Sequence, residues 1–83
     1  MDRNFVIYIR ATSHNTIEED FTILDRIAGL TEDEVKAVLI SAKKQLHAEG
    51  YTIIHHCDSL GQFHASTFTH EINFTPICYH NNI

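Results

Sequence analysis

The chain begins with an alternation of side chains that is typical of a β-strand. In Phe5-Val6-Ile7-Tyr8-Ile9, β-branched and aromatic residues follow one another, and every second residue is placed on the same face. A polar stretch then interrupts this apolar run. We therefore predict a strand over residues 5–9.

The next segment has the spacing of an amphipathic helix. Thr16 and Glu19 are placed as a capping box, in which two side chains satisfy free backbone amides at a helix start. Apolar residues recur at helical intervals from Ile17 to Ala28, and Gly29 is a residue type that ends helices at low conformational cost. The pattern predicts a first helix over residues 16–28.

A second capping box, Thr31 with Glu34, follows immediately. Leu30 before the cap and Val35 at the fourth helical position have the spacing of a hydrophobic staple. Apolar residues continue on one stripe until Gly50, which is a suitable terminator. We predict a second helix of about 17 residues.

A β-hairpin is predicted after the second helix. Residues 51–56 and 62–68 have strand character, and the turn Asp58-Ser59-Leu60-Gly61 joins them. Residues 69–74 continue the alternation as a short final strand, and we expect Pro76 to end pairing in any central strand. Residues 77–83 are predicted to form a flexible tail. The fold class that follows is α+β, with an N-terminal strand, a two-helix hairpin, an antiparallel β-hairpin and a short final strand.

Length and composition favour one small domain over residues 1–83. A chain of 83 residues can bury only a small hydrophobic core. We therefore predict a homodimer, in which a second copy of the chain buries additional apolar surface. Two cysteines are too few for a disulfide scaffold, and no charged and apolar leader opens the sequence. We therefore expect a cytoplasmic protein, without a membrane span because the apolar runs are far too short.

The charge balance argues against extensive contact with phosphates. Six Lys and Arg stand against eleven Asp and Glu, which gives a formal net charge of −5. Proteins that bind nucleic acid by neutralising phosphates usually have the opposite sign. A DNA-binding function therefore needs a local cluster of cations.

Four segments, in their order along the chain, are similar to those of a known family. They are Arg10-Ala11-Thr12-Ser13-His14-Asn15-Thr16-Ile17, Gly29-Leu30-Thr31-Glu32-Asp33-Glu34-Val35, Ala48-Glu49-Gly50 and Leu60-Gly61-Gln62-Phe63. Together they resemble the HU/IHF family of DNA-bending proteins, and most closely the divergent HU-like proteins of Bacteroidetes. The resemblance implies an HU/IHF-like fold in an intertwined dimer that binds DNA.

Two parts of that family pattern are missing from this chain. The DNA-wrapping β-ribbon arm has no counterpart, and neither has the C-terminal helix. The segment Ile72-Asn73-Phe74-Thr75-Pro76 resembles the family's sequence after the arm, without its two arginines. The resemblance therefore implies altered or reduced DNA binding.

Without the arm, the cations left for contact with double-stranded DNA are Arg3, Arg10, Lys36, Lys43 and Lys44. Five charges predict weak, salt-sensitive binding that does not depend on base sequence. The simpler interpretation of the three lysines is a solvated helix face. One alternative function is an acidic protein-interaction module on an HU-like dimer scaffold, and a second is a winged-helix regulator.

Metal binding and catalysis have less support. The segment His55-His56-Cys57-Asp58 holds ligand types that zinc prefers, and Cys78 lies farther along. Neighbouring strand residues point to opposite faces, although His56 or Cys57 can meet His64 across the hairpin.

We expect surface histidines and a small buried cysteine here, with no metal and no cofactor. No phosphate-binding loop or paired nucleophile and base is recognisable, so we do not expect an enzyme. The aromatic residues are expected mainly in the core, with Phe21 and Phe63 as its members.

Overall fold

The computed structural model of the protein describes residues 3–13 and 21–79, with side chains described from residue 24 onward in the second range. The elements in chain order are β1 (Phe5–Ser13), β2 (Phe21–Leu30), α1 (Glu32–Ala48), β3 (Thr52–His55), β4 (Phe63–Ser66) and β5 (His70–Cys78). The five strands form one antiparallel sheet in the order β2-β1-β5-β4-β3. β2 and β3 are therefore its edges.

The single helix of the described chain covers one face of this sheet. The buried cluster between them consists of Ile7, Val35, Leu39, Leu46, Phe63, Ala65 and Phe74. The rings of Phe63 and Phe74 stack with their centroids 4.7 Å apart. Because side chains alternate along a strand, the intervening residues project from the opposite side, which we call the open face.

Local sequence chemistry explains where α1 begins. The Thr31 hydroxyl accepts the backbone amide of Glu34 at 3.2 Å, and the Glu34 carboxylate accepts the amide of Thr31 at 2.9 Å. The predicted capping box is thus confirmed, and Leu30 packs against the core that holds Val35. The helix spans 17 residues and ends just before Gly50, as the sequence predicts.

The capping box makes the stability of α1 depend on pH. The pKa of Glu34 is lowered, first by the backbone amide of Thr31, then by the Thr31 side chain, and also by the charge of Arg3. A carboxyl whose folded pKa lies below its ordinary value of 4.5 stabilises the fold above that value. This contribution is lost as the pH falls through the lowered pKa.

We expect Glu34→Gln to flatten the acid side of the stability profile. The wild-type midpoint of thermal unfolding should fall as the pH drops from about 5 to 3, and the fall should be smaller in E34Q. Glu32→Gln is the matched control, because Glu32 lies in the same helical turn and bonds only the exposed Lys36. Equal pH profiles for E34Q and the wild type would contradict this account.

The predicted first helix is wrong. Residues 21–30 form β2, which pairs antiparallel with β1 over its whole length. Its apolar residues are so dense that helical and strand spacing both fit, and the β-branched residues Thr22, Ile23 and Ile27 favour a strand. The proposed cap at Thr16 and Glu19 lies outside the described residues.

Gly29 has the left-handed backbone expected from the sequence, but in a different setting. Its φ is +71°, and it lies where the pairing of β1 with β2 shifts between Phe5 and Ile7. Two residues of β2 lie opposite one of β1 there, which is a β-bulge with glycine in the left-handed region. The residue ends no helix and instead accommodates an irregularity in the sheet.

The prediction that pairing ends at Pro76 is also wrong. Pro76 does not end the last strand, because it is paired with Ile7 and β5 continues to Cys78. Pairing of β4 with β5 extends only as far as Phe74, so β5 has one neighbour at Pro76 and tolerates the missing N–H. Ile77 and Cys78 therefore belong to the sheet and not to a flexible tail.

These differences overturn the HU/IHF-like α+β fold. That fold needs a two-helix hairpin, whereas the described chain is a mostly β structure with one helix on a five-stranded sheet. The winged-helix alternative needed the same two helices. The hairpin of β3 and β4 is confirmed, and β1 is longer than the predicted strand. No helix in the described ranges is long and apolar enough to cross a membrane.

Candidate functional site

A groove of about 790 Å³ lies along the open face, at the end of the sheet formed by β2, β1 and β5. Its lining residues are Tyr8, Ile9, Arg10, Leu24, Asp25, Arg26, Asn73, Thr75 and Ile77. This volume is within the range of binding sites for small molecules or short peptide segments. No other described element lies over this part of the sheet.

Strand register determines which side chains meet in the groove. Tyr8 on β1 pairs with Arg26 on β2 and with Thr75 on β5. One pleat along, Arg10 pairs with Leu24 and Asn73. The groove therefore contains two rows of three residues, each row with one arginine.

The two arginines give the groove a charge opposite to that of the whole chain. Neither guanidinium forms an ion pair with another residue of the described chain. The carboxylate of Asp25 is held locally, because it accepts the backbone amide of Arg26 at 2.7 Å. The acidic first turn of α1 lies on the other side of the sheet.

Apolar surface lies beside these charges. Leu24 is 74% exposed, Tyr8 is 44% exposed and Ile77 is 41% exposed. Isolated apolar residues are common on protein surfaces, but these three line one groove together with unpaired cations. The arrangement suits a ligand that has both anionic and apolar groups.

Most of the predicted DNA-contacting residues are engaged elsewhere. Arg3 pairs with Glu34 at 2.8 Å and donates to the carbonyl oxygen of Gly29 at 3.2 Å. Lys36 pairs with Glu32 at 3.4 Å, one turn away on α1. Both contacts hold a cationic side chain against a glutamate in the first turn of α1.

Of the remaining predicted cations, Lys43 and Lys44 lie together on the helix side of the sheet, away from Arg10. The ammonium group of Lys43 lies 5.4 Å from the ring centroid of Phe63, where a cation–π interaction holds it over the core. Lys44 is exposed on α1. Of the five residues, only Arg10 lines the groove; Arg26, the second groove arginine, is not among them because the apolar spacing around it predicts a helix.

The hairpin contains the second cluster of functional side chains. His56 Nε2 and His64 Nδ1 lie 2.8 Å apart, so the predicted meeting of these two residues across the hairpin is confirmed. Cys57 and Cys78 are exposed free thiols, which corrects the expectation of a buried cysteine. Within the described ranges, no three His, Cys, Asp or Glu residues are grouped to enclose a metal ion.

Comparison of the chain with protein-family models, with curated proteins and with solved structures finds no match. The groove and the hairpin are therefore the features that indicate a function for this chain.

Proposed function

We propose that this chain is a non-catalytic protein-interaction module whose open face binds an acidic segment of a partner protein. The observation that carries the proposal is that Arg10 and Arg26, which form no ion pair with any described residue, lie beside exposed apolar side chains in one groove. A partner segment would place carboxylates on the arginines and apolar side chains over Tyr8 and Leu24.

The chemistry of the arginines supports this choice of ligand. A guanidinium offers a planar set of donors that matches the two oxygens of a carboxylate. Hydrogen bonds to charged groups contribute about 1.5–3 kcal/mol each, because they are stronger than neutral ones. Two such contacts, set by strand register on adjacent rows, would orient the bound segment.

The apolar part of the groove supplies the rest of the affinity. Burial of apolar surface contributes about 25 cal/mol per Å², and Leu24 is largely exposed in the free protein. Asn73 and Thr75 line the groove from β5 and offer hydrogen-bonding groups without charge. A purely polar acidic segment would therefore bind less tightly than one that also carries apolar residues.

Catalysis is not part of the proposal. Tyr8, Asp25 and Thr75 line the groove, but within the described residues no side-chain hydrogen bond joins a nucleophile there to a base. Double-stranded DNA is a weaker candidate, because Arg3 and Lys36 are paired with glutamates and Arg10 lies on the opposite face of the sheet from Lys43 and Lys44. A homodimer and a cytoplasmic location remain predictions from the sequence.

The test begins with selection from a displayed library of random peptides. We expect enriched peptides that combine Asp or Glu with apolar residues, and their affinity is then measured by fluorescence anisotropy. Arg10→Ala and Arg26→Ala should each weaken binding about tenfold or more, since each removes a charged hydrogen-bonding group. Lys44→Ala is the control, because it removes an exposed cation outside the groove.

Three results would overturn the proposal. One is enrichment of basic peptides or of none, and another is a loss of affinity in K44A equal to that in R10A. The third is tighter binding of single-stranded oligothymidine than of the selected peptides, lost in R10A and R26A. That result would assign the same face to nucleic acid, for which Tyr8 offers a stacking surface.

A further inference from the structure

The hairpin of β3 and β4 places two imidazole rings side by side on the open face. The backbone amide of His56 donates to the carbonyl oxygen of Gln62 at 3.0 Å, which extends the hairpin pairing beyond His55 and Phe63. His64 lies two residues along the partner strand, so the two histidines are diagonal neighbours. Their ring centroids are 5.0 Å apart and the ring planes are tilted by 55°.

The separation of the two nitrogens matches one type of metal coordination. Bonds of about 2.0 Å from imidazole nitrogens to a metal, at an angle of about 90°, place the nitrogens about 2.8 Å apart. Tetrahedral coordination would need about 3.3 Å. His56 Nε2 and His64 Nδ1 are hydrogen-bonded at 2.8 Å, a distance that also equals the spacing of adjacent ligands in a tetragonal complex.

Access and preorganisation both favour binding at this pair. His56 is exposed and His64 is half-buried, so an ion can approach without opening the fold. The strands hold the backbones in place, which reduces the conformational entropy that chelation would otherwise cost. No third His, Cys, Asp or Glu of the described chain closes the site, so water would fill the other positions.

We infer that His56 and His64 form a chelating site for a divalent transition ion of tetragonal preference, Ni(II) or Cu(II). Both metals accept imidazole ligands readily, and they prefer this geometry over the tetrahedral one. The ion would replace the hydrogen bond between the rings, with both binding nitrogens in their deprotonated form. The site adjoins the groove through Asn73, which is paired with His64, but neither histidine lines the groove.

Calorimetric titration with NiCl₂ at neutral pH tests the inference, because nickel does not oxidise the adjacent thiol of Cys57 as copper would. We expect His56→Asn and His64→Asn each to reduce the affinity about tenfold or more, since each leaves a single imidazole ligand. His55→Asn is the matched control. His55 neighbours His56 in sequence but lies with Lys43, Lys44 and His47 on the helix side of the sheet.

Two further measurements locate the ion. Paramagnetic broadening of backbone amide resonances should centre on His56, His64 and the strand-paired Asn73. Cys57→Ser should bind nickel as the wild type does. Equal loss of affinity in H55N, retained affinity in both H56N and H64N, or loss in C57S would overturn the inference, with circular dichroism confirming that each variant is folded.

Discussion

Phe63→Ala is expected to lower the free energy of unfolding by about 3–5 kcal/mol. The Phe63 side chain is fully buried, stacks on Phe74 and has the ammonium group of Lys43 over its ring. Its removal takes away apolar burial and leaves a cavity between α1 and the sheet, because the strands on either side cannot collapse into it. Small domains have about 5–15 kcal/mol of stability in total, so this loss is a large part of it.

Phe68→Ala is the matched control for this variant. Phe68 is 98% exposed in the turn between β4 and β5, so its removal should change the free energy of unfolding by less than about 0.5 kcal/mol. Urea denaturation followed by circular dichroism measures both variants. A loss in F68A as large as in F63A would show that the position of the core described above is incorrect.

Leu39→Ala has the second largest expected effect, a loss of about 2–5 kcal/mol. Leu39 is 1% exposed and lies at the centre of α1, in the cluster that also contains Ile7 and Val35. α1 contributes three buried residues to the core, so each of them supplies a large share of the apolar contact that holds α1 against the sheet. Loosening of α1 would also uncover the strands beneath it.

Ile40→Ala is the matched control, because it separates the effect of losing buried apolar surface from the effect of changing helix propensity. Ile40 is next to Leu39 in sequence but is 52% exposed, and alanine favours helix as strongly as any residue. We therefore expect I40A to be close to neutral in the same urea titration. If I40A lost as much stability as L39A, α1 would have to pack on the sheet through a different face.

The sequence predicts α1 well because its determinants are local. Thr31 and Glu34 form their reciprocal hydrogen bonds within one turn, and Gly50 stops the helix at the expected place. The hairpin of β3 and β4 is likewise set by a short turn, and its paired residues are only eight to fourteen apart in the chain. These features need no information about distant parts of the protein.

The strand β2 was not predictable in the same way. Its apolar residues fit a helix by spacing, and the short segments that resemble HU/IHF proteins strengthened that interpretation. What decides the structure is pairing with β1, whose partners range from Ser13 with Phe21, eight residues apart, to Phe5 with Leu30, and the spacing of apolar residues within β2 does not reveal that pairing. Helical spacing of apolar residues is therefore a weak guide in a short, densely apolar segment, where tertiary pairing determines the structure.

The candidate groove illustrates the same difference. Arg10 was recognised as a cation available for binding, but its relation to Arg26 exists only because β1 and β2 are paired. Arg3 and Lys36 were also candidates, and the structure shows each of them bonded to a glutamate near the start of α1. Charge alone therefore identified possible contacts, while strand register determined which of them share a surface.

The free edge of β2 has a consequence for self-association of this protein. If two copies paired antiparallel along β2 about a two-fold axis perpendicular to the sheet, the residue at the axis would face its own copy. An axis at Asp25 would oppose two carboxylates, and one at Arg26 would oppose two guanidinium groups, and like charges directly opposite are destabilising. Asp25 and Arg26 therefore disfavour these two pairing registers, which lie near the middle of β2. They thereby make it harder for a second copy to add its strand to the edge of the sheet.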